Sequence, residues 1–165
     1  MRWTVIDSPI GDLSLAVDDD GFCGLGFGAV DTGRRLVQDP LLTEAQEELK
    51  AYFAGELTEF NLPLSIPHGS EFERAVWAQL CRIPYGEMRS YEDLAVAVGK
   101  VRASRAVGRA NGQNRIGIVI PCHRVVNKSG KLGGYGGGLW RKEFLLNLER
   151  GTNGVAHQSQ MWATT

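Results

Sequence analysis

A cysteine, a histidine and an arginine follow one another in the run Pro121-Cys122-His123-Arg124. A thiol close to cationic groups has a lowered pKa, so more of it is present as the nucleophilic thiolate. In a regular strand, however, adjacent side chains point to opposite faces. Either the chain turns at Pro121, or Cys122 and His123 communicate through a bridging water. The run predicts nucleophilic chemistry at Cys122, although a lone Cys-His pair is more often structural.

The other two cysteines, Cys23 and Cys81, give no sign of a metal site. Neither has ligand-type spacing to another cysteine or histidine. Three widely spaced cysteines suit a reducing compartment, and Cys81 falls in a helical pattern where we expect packed core. No run approaches the about 20 apolar residues of a membrane span, and the first residues do not resemble a signal peptide. We therefore expect no metal, no cofactor and no membrane contact in a cytoplasmic protein, nucleoid-associated if the source is bacterial.

The formal net charge of −1 conceals a strong asymmetry along the chain. Residues 1–69 hold 4 basic and 12 acidic residues, a charge of −8, whereas residues 70–150 hold 14 basic and 7 acidic residues, a charge of +7. A basic half beside an acidic half is typical of a nucleic-acid binder. Two solvated surfaces that attract each other would explain the charges equally well.

Two domains and a tail are predicted from the hydrophobic patterns. Residues 3–6, 13–17 and 22–27 are typical of strands, and residues 42–54 have the three-to-four spacing of a helix that ends at Gly55. Pro63 and Pro67 indicate an extended linker. We place an α/β domain at residues 1–67 and a mainly helical domain at 68–150. Residues 151–165 carry no charge and are predicted to be a flexible tail.

Helical patterns dominate the second domain. Ser70 with Glu73, and Ser90 with Asp93, fit capping boxes that begin two helices. Small apolar residues at 103, 106, 107 and 110 mark a third helix, whose opposite face carries Arg102, Arg105 and Arg109. The second and third helices are typical of a helix-turn-helix. A plain amphipathic pair is the alternative, but these arginines lack acidic partners one turn away, which favours nucleic acid. Residues 116–120 are predicted to be a buried strand.

Several segments together resemble a known family. The run from Ile118 to Val126, Ile-Val-Ile-Pro-Cys-His-Arg-Val-Val, and the downstream Gly134-Tyr135-Gly136-Gly137-Gly138 resemble the active-site signature of the O6-alkylguanine-DNA alkyltransferases. Upstream, the family's motifs are matched by Ile83-Pro84-Tyr85-Gly86, Ser90-Tyr91, Arg105-Ala106-Val107-Gly108 and Asn114. The similarity is close over residues 70–150 and weaker before them.

This resemblance implies both a fold and an activity. The fold would be a ribonuclease-H-like α/β domain followed by a mainly α domain with a winged helix-turn-helix. The activity would be a single, irreversible transfer of an alkyl group from O6-alkylguanine, and also O4-alkylthymine, to Cys122 after the base is flipped out of duplex DNA. The partner would be double-stranded DNA that contains the lesion. The chain would act as a monomer, with cooperative binding on DNA left open.

The resemblance also assigns roles to individual residues. Cys122 would be the nucleophile, His123 a base acting through water, and Glu149 the group that holds the imidazole tautomer. Tyr91 would donate a proton to the departing guanine, and Asn114 would tie the recognition helix to the active-site segment. Arg105 would fill the vacated stack; the further DNA contacts would come from Arg102, Ser104, Ala106, Arg109, Arg115 and Arg124. The base pocket would include Val125, Tyr135, Gly136 and Gly137.

Three positions depart from the family pattern, and none removes a chemical group. Arg115 and Val101 stand where prolines are usual, and Ser104 replaces a common alanine. We expect altered affinity or rate, not loss of activity, and Arg115 could contact phosphate. The rival hypotheses are a lesion-binding relative without transfer activity, a cysteine hydrolase and a transcription regulator. Lesion-binding relatives lack the reactive cysteine, which is present here as Cys122. A cysteine hydrolase would not need the three arginines, and a transcription regulator would leave Cys122 without a role.

Overall fold

The computed structural model describes residues 1–29 and 38–151. The contacts divide the chain into two compact units. The first contains Met1–His68 and Arg115–Val119, and the second contains Gly69–Asn114 and the chain from Ile120 onward. The predicted flexible tail lies, from residue 152, outside the described residues. Within the described ranges, no helix is long and apolar enough to cross a membrane.

The first unit is a three-stranded antiparallel sheet with one long helix. The strands β1 (Arg2–Ile6), β2 (Leu13–Asp18) and β3 (Gly21–Phe27) pair in sequence order, and the β2–β3 register shifts between Ala16 and Val17. Helix α1 (Pro40–Phe53) buries residues at helical spacing: Leu42, Ala45, Leu49 and Tyr52. Asp39 caps α1 by accepting from the amides of Leu41 and Leu42. The predicted strands and helix are therefore confirmed.

The predicted strand at residues 116–120 is wrong. Ile116 forms one isolated parallel bridge with Leu25, and the following three residues form a turn in which Val119 N donates to Gly117 O at 2.7 Å. Ile118 adopts a positive φ of 68°, which a continuous strand excludes. The run is apolar because Ile116, Ile118 and Ile120 are buried, and burial alone does not require a ladder partner.

The second unit is mainly helical. Its elements are α2 (Glu71–Leu80), β4 (Arg89–Ser90), α3 (Tyr91–Ala97), α4 (Ser104–Gly112), a 3₁₀ turn (Cys122–Arg124), β5 (Val125–Val126) and α5 (Leu139–Arg150). Helix α4 packs against both α2 and α3, and β4 pairs with β5 in parallel. Both predicted capping boxes are present, at Ser70 with Glu73 and at Ser90 with Asp93. The α3–α4 pair forms the predicted helix-turn-helix.

Candidate active site

The 3₁₀ turn determines where the reactive run points its side chains. Pro121 has φ −81° and ψ 64°, and its carbonyl accepts from Arg124 N at 3.0 Å. The chain therefore turns at Pro121, which was one of the two alternatives. Because a 3₁₀ helix has three residues per turn, Cys122, His123 and Arg124 project in three different directions. All three side chains are buried.

His123 is paired with Glu149 near the end of α5. The two side chains are buried, and His123 Nε2 lies 2.7 Å from Glu149 Oε2. Burial by itself would raise the pKa of Glu149, but the charges and hydrogen bonds of His123 and Arg124 lower it to about 2. Glu149 is thus ionised at neutral pH and accepts from Nε2. The second ring nitrogen, Nδ1, has no hydrogen-bond partner among the described residues, which leaves it available as a base.

Arg124 lies in the interior, where the prediction of a DNA contact does not fit it. Its Nε lies 2.7 Å from Glu149 Oε1, and its Nη2 lies 3.0 Å from Glu149 Oε2. Its Nη1 donates to the carbonyl of Ile83 at 2.6 Å, and the guanidinium lies over the ring of Tyr85. Every guanidinium nitrogen is thus engaged inside the protein. From the sequence, a basic residue beside the nucleophile could equally be a phosphate ligand or half of a buried ion pair.

Burial is the main influence on the pKa of the Cys122 thiol. It raises the pKa of Cys122, while the hydrogen bond from Asn114 and the charge of Lys142 act to lower it. The lowered thiol pKa expected from the neighbouring cationic groups is therefore wrong in direction, because burial of Cys122 outweighs the groups that lower its pKa. Cys122 is a thiol at neutral pH and needs a base to react.

Lys142, on α5, is a site residue that the sequence prediction missed. It is fully buried, and its Nζ donates to the carbonyls of Val125 at 2.6 Å and Gly134 at 3.2 Å, and also to that of Leu132. Burial lowers the pKa of Lys142 to about 8, although the charge of Cys122 raises it. A signal was available: Lys142 lies seven residues before Glu149 and so shares its helix face with it.

Two tyrosines lie within electrostatic range of Cys122. Burial and the charge of Cys122 raise the pKa of Tyr91, which begins α3. The same two causes, with Glu149, raise the pKa of Tyr135. Gly133 has a φ of 73°, and a side chain there would come within 3.1 Å of Tyr91 Oη. Of the other predicted pocket residues, Val125 and Gly137 are buried, while Gly136 is exposed.

Two asparagines connect α4 to the reactive segment. Asn114 Nδ2 donates to the carbonyl of Ile120 at 2.9 Å, which is the connection predicted for it. Asn111, which was not predicted, donates from Nδ2 to the carbonyl of Cys122 at 3.3 Å. Both bonds fix the main chain of the nucleophile relative to α4.

Two of the predicted DNA-contact arginines, Arg105 and Arg109, lie on α4, whereas Arg102 precedes that helix and does not share its face as predicted. Val107, Ala110 and Asn111 are buried, whereas Arg102, Arg105 and Arg109 are exposed. Trp77 Nε1 donates to the carbonyl of Ala110 at 2.8 Å and holds α4 to α2. Ser104 and Ala106 are half-buried; Arg115 is exposed but belongs to the first unit.

A buried cysteine that precedes a histidine–glutamate pair, on a domain with an arginine-bearing helix-turn-helix, is the arrangement expected of a DNA-binding protein with a cysteine in its site. The family model for the 6-O-methylguanine DNA methyltransferase DNA binding domain matches residues 71–151. The model for the ribonuclease-like domain of the same family matches residues 1–66. The chain belongs to the 6-O-methylguanine DNA methyltransferase family, as the sequence resemblance predicted.

Relatives and solved structures match over most of the chain. The methylated-DNA–protein-cysteine methyltransferase of Mycolicibacterium paratuberculosis is 51% identical over 156 residues, which cover 91% of this chain and 93% of the relative. That of Methanosarcina barkeri is 46% identical over 157 residues, 90% of this chain and 97% of the relative. The crystal structure of Mycobacterium tuberculosis OGT in complex with DNA is similar, with a TM-score of 0.83 and 47% identity, covering 91% of this chain and 93% of that one.

Proposed function

We propose that this chain repairs DNA by transferring an alkyl group from O6-alkylguanine, and from O4-alkylthymine, in duplex DNA to Cys122. The observation that carries the proposal is the buried Cys122 beside the His123–Glu149 pair. It stands in a chain that matches two methylated-DNA–protein-cysteine methyltransferases over 97% and 93% of their length. The machinery for transfer is proposed to lie within residues 68–150. The chain is proposed to act as a monomer.

The reaction is an in-line displacement at the alkyl carbon. Cys122 Sγ forms a bond to that carbon while the carbon–O6 bond breaks and its electron pair moves onto the guanine. The thiol proton passes to His123 Nδ1 through a water. A second proton is transferred from a donor to the departing guanine, so that the guanine is released as a neutral base. The product is a thioether, which has no polarised carbonyl for water to attack. Each molecule therefore reacts once.

Each neighbour of Cys122 has a defined part in that reaction. Glu149, ionised, accepts from His123 Nε2 and so keeps Nδ1 as the basic nitrogen. Lys142 supplies positive charge that favours the thiolate as it forms. Tyr91 is the proposed proton donor, and its raised pKa keeps the phenol protonated at neutral pH.

The DNA side of the proposal follows from where the reacting atom lies. O6 of guanine is inside the base stack of a duplex, so the nucleotide must be flipped out into a pocket before Cys122 can reach it. Arg105 on α4 is proposed to fill the vacated stack, and the exposed Arg102 and Arg109 are proposed to contact the backbone. Tyr135 with Gly136 and Gly137 is proposed to cover the flipped base.

Intact-protein mass spectrometry after incubation with duplex DNA that carries O6-methylguanine tests the proposal. We expect the mass to rise by one methylene and never by more, with the modification mapped to the peptide of Cys122. Cys122→Ala should remain unmodified. Cys81 is exposed and not part of the packed core as expected, so Cys81→Ala should still take up the methyl group. A protein that binds the DNA but stays unmodified would instead be a lesion-binding relative without transfer activity.

A further inference from the structure

Glu149 is shared between two basic side chains. Its Oε2 lies 2.7 Å from His123 Nε2 and 3.0 Å from Arg124 Nη2, while its Oε1 lies 2.7 Å from Arg124 Nε. Arg124 is held independently of Glu149 by the carbonyl of Ile83 and by the ring of Tyr85. The arginine therefore presents a fixed, permanent positive charge to the carboxylate that orients the catalytic imidazole.

Other titratable groups also face this cluster. Burial raises the pKa of Tyr85 and of Tyr135, and the charge of Glu149 adds to the rise in each phenol. Tyr85 Oη also donates to the carbonyl of Leu148 at 3.4 Å. Cys81, at the end of α2, feels the charge of Arg124. Lys142 acts on Cys122. The two phenols and the thiol are neutral at pH 7, so they do not balance the carboxylate.

We infer that Arg124 is a positioning residue that balances the charge of Glu149, so that His123 stays neutral and can accept the proton of Cys122. The catalytic consequence rests on the proposed function, but the protonation of His123 does not. With Arg124 in place, the buried cluster of guanidinium, carboxylate and neutral imidazole has no net charge. A proton added to His123 would then leave an uncompensated positive charge in the interior, which is costly.

Without Arg124, the carboxylate would lose the permanent positive charge beside it, while His123 Nε2 would stay within hydrogen-bond distance. A buried charge without a partner is unfavourable, so Glu149 would draw a proton onto His123 and form an ion pair with it. Nδ1 would then carry a proton and could not act as a base. Arg124 thus sets the pH above which the site can deprotonate its own thiol.

Nuclear magnetic resonance of the histidine rings measures this directly in the free, full-length protein. The chain has three histidines, His68, His123 and His157, so the two others serve as internal references. In Arg124→Met, which keeps an unbranched apolar side chain but removes the charge, we expect the midpoint of the His123 titration to rise by about one pH unit or more. An unchanged midpoint would overturn the inference.

Two further variants separate charge from structural support. Arg2→Met removes a matched arginine, whose Nε lies 2.7 Å from Asp39 in the first unit, and should leave the His123 midpoint in place. Arg124→Lys keeps the charge but loses the two-pronged contact, so it should lower the melting temperature while the midpoint stays near that of the wild type. If Arg124→Lys moves the midpoint as far as Arg124→Met, geometry and not charge is responsible, and the inference is wrong. If Arg124→Met does not fold, Arg124→Gln, which keeps an amide donor without the charge, takes its place and should raise the midpoint in the same way; an unchanged midpoint in Arg124→Gln would overturn the inference.

The rate of methyl uptake provides the catalytic readout. In Arg124→Met the low-pH loss of rate should move upward with the His123 midpoint, and most of the rate should return at higher pH. A purely structural role would lower the rate at every pH by the same factor. If neither protein takes up a methyl group, the proposed function fails, whereas the His123 midpoints still decide the role of Arg124.

Discussion

Lys142 is unusual among the residues of the site because its ammonium group is buried and its described hydrogen bonds all go to backbone carbonyls. Its three bonds go to the carbonyls of Val125, Leu132 and Gly134, on either side of the turn that follows the reactive segment. One side chain therefore holds β5 to the segment that leads into Tyr135, and it also places a positive charge near Cys122. Burial of that charge lowers its pKa, so the charge has an energetic cost to the folded state.

Replacement of Lys142 by methionine should therefore have a pH-dependent effect on stability. At neutral pH it leaves buried carbonyls without a donor, which costs about 1–3 kcal/mol for each group, partly offset by loss of the buried charge. The folded pKa of about 8 lies below the ordinary value of 10.5. Between those values the unfolded state binds more protons, so the wild type gains stability as pH rises and the variant does not. Urea unfolding at several pH values should show the difference growing from pH 8 to 10.5.

The control for that series is Lys50→Met, a change at an exposed lysine of α1. Its free energy of unfolding should run parallel to that of the wild type across the same pH range. A constant gap between the wild type and Lys142→Met would mean that Lys142 does not titrate with a lowered pKa in the folded protein.

At the same scale, the sequence was sufficient for some site residues and not for others. Cys122, His123 and Asn114 could be singled out because the family motif that contains them is specific, and their roles stay proposals. The contacts of Arg124 could not, because its partner Glu149 is 25 residues away and nothing local distinguishes a buried ion pair from a phosphate contact. Lys142 was missed for a related reason, since a lysine is expected at the surface unless its carbonyl partners are known.

Helices α2 and α3 begin with the same type of cap, but their first residues differ in proposed role. Ser70 caps α2 and Ser90 caps α3, each through a reciprocal capping box. The first residue after Ser90 is Tyr91, the proposed proton donor, whereas α2 begins with Glu71, which has no proposed role. The cap of α3 therefore fixes the backbone on which Tyr91 is placed.

Alanine substitutions at the two caps should thus agree in stability and differ in activity. Ser70→Ala and Ser90→Ala should each lower the free energy of unfolding by about 0.5–2 kcal/mol, because each leaves a backbone amide of the first turn without its acceptor. Only Ser90→Ala should also slow methyl uptake, measured in single-turnover assays with saturating protein. Equal rates in the two variants would indicate that Tyr91 is positioned by its packing alone.

Most of the helices and strands could be predicted from local patterns, but the turn at residues 117–119 could not. Both capping boxes depend on residues three apart, so they are visible in the sequence. The turn at residues 117–119 was not, because hydrophobicity reports burial and an apolar run of five residues is compatible with a strand or a buried turn. The positive φ of Ile118 accompanies the tight turn closed by the bond from Val119 N to Gly117 O, and the hydrophobic pattern carries no sign of that turn.

At the scale of the molecule, the arrangement of charge is the feature most relevant to DNA. Residues 70–150 carry a formal charge of +7, and the arginines of α4 are exposed while Arg124 is neutralised inside the protein. Surface arginines that contact phosphates displace condensed counterions, and a buried arginine does not. The slope of the salt dependence of DNA binding therefore reports how many arginines neutralise phosphates of the DNA.

Binding to undamaged duplex DNA should consequently weaken steeply with salt, and by less in variants of the arginine face. If Arg102 and Arg109 each neutralise one phosphate, Arg102→Ala and Arg109→Ala should each reduce the slope of log K against log salt concentration by about 0.9. Arg124→Met should leave the slope unchanged, because its guanidinium is bound to Glu149 and to the Ile83 carbonyl. Fluorescence anisotropy across a salt series measures all three slopes. A reduced slope in Arg124→Met would show that Arg124 leaves Glu149 when DNA binds, and Glu149 would then lose its balancing charge in the complex.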